Sequence, residues 1–174
     1  MFWPDVKLLL YNSFDNTFKK GSLSDDQRRG IINIIPKDGK DLRYLRNWRP
    51  VSLLNTDYKI LTKTLCNRLQ NVLPKLIHAD QVGYVKGRYI GQNVRIIKDV
   101  MSYADSKMIP GYLLLVDFEK AFDKVEWPFM LKCLEFYNFG VNFVKWIKIL
   151  YTDIQSCVSN NGYMSHFFQS ESWY

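Results

Sequence analysis

The chain has 174 residues, 47% of them hydrophobic and 16% aromatic, which suits one packed domain or a piece of a larger one and is too apolar for a disordered segment. Its 24 Lys and Arg against 17 Asp and Glu leave a net charge of +7, which points to nucleic acid or another polyanion and carries no information about fold. Aliphatic runs of the size of Leu113-Leu114-Leu115-Val116 fall far short of the roughly 20 residues a membrane helix needs, and the opening Met-Phe-Trp-Pro-Asp is not expected to be a signal peptide.

Cys66, Cys133 and Cys157 lie far apart and read as reduced thiols of an intracellular protein. With His78 and His166 as the only histidines and no Cys-x-x-Cys pair, a structural zinc site is not expected. The charge is uneven. Residues 1–100 hold 18 basic and 9 acidic side chains, a net of +9, whereas residues 101–174 hold 6 and 8, a net of −2.

In chain order, Val6, Leu9, Leu10 and Phe14 predict a helix over residues 5–18, with Asp5 as its cap. Gly21 to Gly30 is polar and loop-like. The β-branched run Ile31-Ile32-Asn33-Ile34-Ile35 predicts a strand stopped by Pro36. Lys37-Asp38-Gly39-Lys40 is a turn, and Trp48 to Ser52 is extended because Pro50 biases Arg49 away from helix. Ile60, Leu61, Leu65, Leu69, Val72 and Leu76 predict a helix that Pro74 ends or kinks.

Gly83, Gly87 and Gly91 punctuate a loop. Val94, Ile97, Met101 and Ala104 then line a second long helix. After Pro110-Gly111, the unbroken apolar run Tyr112 to Val116 predicts a strand buried on both faces. Helical spacing resumes through Val125, Leu131, Leu134 and Phe136, and again through Phe143, Ile147 and Leu150. Residues 156–168 predict a hairpin turning at Asn161-Gly162. Helices and strands mix without a βαβ rhythm, so the expected fold class is α+β.

Three places carry candidate chemistry. Asp117 ends the predicted buried strand, where a carboxylate suits a hard cation such as Mg²⁺. The competing reading is an N-cap for a following helix, and Glu119 with Asp123 reads as a solvated helix face. Lys37 and Arg49 lie on either side of the predicted turn and could clamp phosphates, or be two surface cations near it. Gln81-Val82-Gly83-Tyr84-Val85-Lys86-Gly87-Arg88-Tyr89 interleaves glycines, cations and tyrosines in a way that suits a sugar–phosphate strand. It lacks the Gly-Lys-Ser/Thr of a P-loop. Tyr103-Ala104-Asp105-Ser106 imitates a polymerase Tyr-x-Asp-Asp hairpin but falls on a helical pattern, and is assigned to a helix end.

Three segments in order resemble one family. They are GIINIIPKDGKDLRYLRNWRPVSLLNTDYKILTKTLCNRLQNVL, then IHADQVGYVKGRYIGQNVRII, then GYLLLVDFEKAFDKVEW. Together they look like the N-terminal part of the reverse transcriptase domain of non-LTR (LINE-type) retrotransposons. The resemblance implies the fingers and partial palm of a right-hand polymerase, with fingers and their connection over residues 1–110 and partial palm over residues 111–174. It implies RNA-directed DNA synthesis on an RNA template and DNA primer, with dNTP as substrate and a two-metal Mg²⁺ site.

By the same resemblance Asp117 is the first catalytic carboxylate, and the Phe118 main-chain carbonyl is a further metal ligand. Phe122 is a steric gate against the ribose 2′-hydroxyl, and Lys37 and Arg49 hold the triphosphate. Gln81, Gly83 and Gly87 match the block near template and primer, with Lys86 and Arg88 beside them. A gate would be partly exposed, whereas a core phenylalanine would be buried.

The family pattern continues with a Gly-x-x-Gln-Gly segment, a paired-Asp hairpin and a thumb, which are not found before Tyr174. The expectation is a truncated or degenerate copy, since two metals about 3.5–4 Å apart need carboxylates on both. Two other outcomes stay open: a non-catalytic nucleic-acid-binding fragment, and a pseudogene product that folds poorly.

Overall fold

The computed structural model describes residues 2–118, 120–122 and 124–170. They form two compact units, one of residues 1–62 with 120–174 and one of residues 63–119. One cut falls inside a helix, and the first unit is discontinuous in sequence.

In the first unit, helix α1 runs Trp3–Lys20 and ends at Gly21, whose N–H donates to the Thr17 carbonyl at 2.9 Å. Asp5 lies in its first turn, and Phe2 occupies the N-cap without a side-chain bond. The stretch expected to be loop contains a short helix, α2, Asp25–Arg28. A capping box forms it. Gln27 N–H donates to Ser24 Oγ at 3.3 Å, and Ser24 N–H donates to Gln27 Oε1 at 3.2 Å, so two otherwise orphaned donors are satisfied reciprocally.

Strand β1, Arg29–Pro36, pairs antiparallel with β2, Trp48–Leu54, in the register Ile31↔Leu53, Asn33↔Val51, Ile35↔Arg49. Gly30 and Ile32 point inward, while Asn33 and Ile35 are exposed on the other face with Arg49 and Val51. Helix α3, Thr56–Gln70, follows and crosses the boundary between the units.

Helices α6, Trp127–Phe136, and α7, Val141–Leu150, lead into strand β3, Gln155–Asn160. β3 lies parallel to β1 and pairs antiparallel with β4, Tyr163–Met164, and with β5, Phe168–Gln169. The sheet order is β2-β1-β3-β4. Asn161 (φ +48°) and Gly162 (φ +82°) make the expected tight turn, both left-handed as a type I′ hairpin requires. The core of this unit holds Leu23, Ile32, Tyr58, Leu61, Ile149 and Leu150 around Cys157, which is 0% exposed.

The second unit holds the end of α3, a short helix α4, Leu73–Leu76, and α5, Gly91–Ser106. Pro74 sits in the first turn of α4, where its missing N–H costs nothing. It therefore opens a new helix rather than kinking α3, which has already stopped at Gln70. Buried side chains here are Leu65, Val82 and Val85. Tyr103 to Ser106 closes α5, as expected of a helix end.

One expectation is overturned. Tyr112 to Val116 forms no strand, and its side chains are exposed, with Leu114 at 82% and Leu115 at 76%. A strand needs a hydrogen-bonded neighbour. Among the described residues the strands that exist pair with β1 and β3, and none pairs with this run. The composition of a central strand is present without a partner.

Candidate nucleic-acid and nucleotide site

The β1–β2 connection, residues 37–47, is tied by its own polar groups. Lys37 N–H donates to the Asn47 carbonyl at 2.9 Å, Asn47 Nδ2 to the Asp41 carbonyl at 2.7 Å, and Trp48 Nε1 to the Leu42 carbonyl at 2.9 Å. Lys37 Nζ donates to the Arg46 carbonyl at 2.7 Å, so this ammonium braces the loop with one of its three donors. Arg43 forks onto Asp41 at 2.7 to 3.1 Å. That side-chain bond, helped by the Arg43 main-chain N–H, holds the Asp41 carboxyl below its usual range. The Arg46 guanidinium lies 5.0 Å from the centroid of the Tyr44 ring. Arg49 is exposed, and the register that pairs it with Ile35 puts it at the loop end of the hairpin, across from the residue two before Lys37.

In the second unit the segment 81–89 is anchored from below by Val82 and Val85, both buried. Between and beyond them Gln81, Tyr84, Lys86, Gly87 and Tyr89 are exposed, and Gly83 is half-buried. Tyr84 is 85% exposed and has φ +60°, and Gly87 has φ +81°. The alternation of buried valine and exposed polar or aromatic side chain sets one edge of the loop outward.

Arg88 behaves differently from its neighbours. Its Nη1 donates to the carbonyls of His78 at 2.5 Å and Gln81 at 2.7 Å, and its Nη2 to those of Pro74 at 3.0 Å and Ile77 at 2.9 Å.

Asp117 and Phe118 follow the unpaired apolar run and are exposed. Among the described residues the next helix, α6, begins at Trp127 with Glu126 at its N-cap, so Asp117 is not at its start. Phe122 lies in a turn and is 64% exposed, outside the packed core. The Glu119–Asp123 pair read as a solvated helix face lies outside the described residues.

Sequence reasoning missed Gln27, which is buried. Its Nε2 donates to Asp57 Oδ2 at 2.6 Å and to Ser13 Oγ at 3.2 Å, joining α1, α2 and α3. The spacing Ser24-x-x-Gln27 is a capping-box signature that could have located it. The partners of Arg88 are carbonyls, which leave no trace in side-chain identity.

Residues 35–172 match the reverse transcriptase (RNA-dependent DNA polymerase) family. The chain belongs to that family. Its relatives are proteins of transposons and LINE-type elements, which makes this a reverse transcriptase domain of the non-LTR class. It is 40% identical over 160 residues to the transposon TX1 uncharacterized 149 kDa protein of Xenopus laevis, covering 92% of this chain and 12% of the relative. It is 30% identical over 99 residues to the "Probable RNA-directed DNA polymerase from transposon X-element" of Drosophila melanogaster, covering 55% of this chain and 11% of that protein. A 115 kDa protein of the Drosophila type-1 retrotransposable element R1DM is 29% identical over 104 residues, 60% of this chain and 10% of its own length. The chain thus spans about one eighth of the first relative's length.

The architecture is that of a mixed α/β reverse transcriptase-like domain with a sheet, and no helix among the described residues is long and apolar enough to cross a membrane. The family works on nucleic acid and nucleotides with divalent metal ions. Among the described residues no three His, Cys, Asp or Glu side chains lie together as a ligand set. Asp117 therefore does not by itself fit a two-metal centre.

Proposed function

We propose that this chain supplies the fingers and the first palm segment of a right-hand polymerase that copies RNA into DNA. The observation that carries the reading is the family match over residues 35–172. That span includes the braced β1–β2 loop, the outward-facing glycine-rich segment and the Asp117 run, in that order.

In this reading Lys37 and Arg49 meet the triphosphate of dNTP. Gln81, Gly83, Lys86 and Gly87 face template and primer, and Phe122 screens the sugar. Asp117 and the Phe118 carbonyl contribute to a Mg²⁺ site that other carboxylates complete. Support comes from chemistry at each place. Lys37 keeps two donors after bracing its loop, Arg49 and Lys86 are exposed cations, and Phe122 has the exposure a gate needs.

The 174-residue chain is expected to bind a primed RNA template without extending it. Affinity should fall with salt by roughly 0.7–0.9 log units per log unit of salt for each phosphate neutralised. Absent or salt-independent binding in a filter or fluorescence assay overturns the reading of the surface. The role of Asp117 is read in a chimera that joins residues 1–174 to the segments that follow in a full-length relative. There Asp117→Ala should abolish primer extension and leave template affinity unchanged. Continued extension removes Asp117 from the metal site. Phe122→Ala in the same chimera should raise ribonucleotide over deoxyribonucleotide incorporation.

A further inference from the structure

Four of the five N–H donors of the Arg88 guanidinium are spent on main-chain carbonyls, two on each terminal nitrogen. A bidentate grip on a phosphate needs two adjacent free donors, and only Nε remains. The carbonyls come from Pro74 in α4, from Ile77 at its C-cap, and from His78 and Gln81 beyond it. Helix ends leave carbonyls without intrahelical partners, and the His78 carbonyl also accepts the Gln81 N–H at 3.1 Å.

The same guanidinium thus joins the end of α4 to the first residue of the glycine-rich segment. The chain returns to it through a bend in which Gly87 has φ +81° and the Arg88 N–H donates to the Val85 carbonyl at 3.2 Å. Tyr84, with φ +60°, sits at the opposite side of the bend in a conformation costly for a side chain of its size. Within the segment, the buried Val82 and Val85 and the carbonyl-bonded Arg88 are the groups that can hold that geometry.

We propose that Arg88 is a positioning residue, a brace that keeps segment 81–87 shaped so that Gln81, Tyr84 and Lys86 can meet a nucleic-acid strand. The role rests on the surface reading above. Lysine cannot substitute, because one ammonium has three donors and no fork. A phosphate ligand would tolerate lysine, whereas a brace would not.

The test is amide hydrogen exchange on the free chain together with titration of single-stranded RNA. Arg88→Lys should speed exchange of the Gln81 and Arg88 amides by about tenfold or more, leaving the β1 and β3 amides unchanged. It should also weaken RNA binding although the charge is kept. Gly87→Ala, which strains the bend without touching the guanidinium, should give the same exchange pattern and covers the case in which the lysine variant does not fold. Unchanged exchange in Arg88→Lys overturns the proposal. So does full RNA affinity in Arg88→Lys with a salt slope reduced by about 0.7 in Arg88→Ala, the mark of one lost phosphate contact on a single strand. If the parent chain binds no RNA, the surface reading fails, and exchange alone still decides whether Arg88 is a brace.

Discussion

Tyr58 shows how one buried hydroxyl ties α3 to the C-terminal end of α7. Its ring is buried, and its hydroxyl donates to the Leu150 carbonyl at 3.3 Å. Burial, followed by the charge of Tyr151, pushes its pKa well above the usual 10.0. The folded state therefore keeps the phenol protonated after the unfolded chain has lost the proton. The linked stability is complete below about pH 10 and is lost as pH rises beyond it, by up to about 1.4 kcal/mol per pH unit. Tyr58→Phe should cost about 1 kcal/mol near neutrality and flatten this alkaline loss. Urea unfolding at about pH 7 and about pH 11 measures both, and an equally steep alkaline loss in the variant would assign it to another group. Phe122 is the contrasting case. Spacing alone allowed gate or core, and its exposure removes the core reading.

Among the elements, the junction of α1, α2 and α3 depends on the Gln27 amide. Every polar atom of that side chain is used: Nε2 on Asp57 and Ser13, and Oε1 by the Ser24 N–H and by Thr17 Oγ1 at 3.5 Å. Gln27→Leu should destabilise by about 2–3 kcal/mol, because it strips a partner from a carboxylate and from buried Thr17. Gln27→Glu would set a second carboxylate against Asp57. Like charges raise the acid pKa values in the folded state, so the stability lost at neutral pH should return on acidification toward about pH 4. Thermal melts across that range decide it, and a loss that does not depend on pH would assign the cost to packing. The segment was legible as a helix start only through Ser24 and Gln27. Its ring of glycines and charges otherwise spells loop.

At the scale of the whole molecule, the exposed apolar run from Tyr112 to Val116 is expected to drive association between chains. It has the length, β-propensity and lack of charge that drive strand addition between chains. Replacing Leu113 and Leu115 together by lysine should shift the chain toward monomer in sedimentation while leaving the Tyr58-centred core melt within about 0.5 kcal/mol. Association unchanged by the charges would place the sticky surface elsewhere. What the sequence by itself determined was governed by near neighbours. Helical spacing located α3, α5, α6 and α7, Asn161-Gly162 located a hairpin, and ordered blocks identified the family, because periodicity, turn chemistry and motif order are local properties. Tertiary structure alone decided the rest. It brought β3, more than a hundred residues further along the chain, beside β1, and among the described residues it left Tyr112 to Val116 without a strand to pair with. It also turned Arg88 inward onto carbonyls while Lys86, two residues away, faces out. Strand pairing and donor satisfaction depend on which backbone groups meet in space, and every residue type carries the same backbone groups.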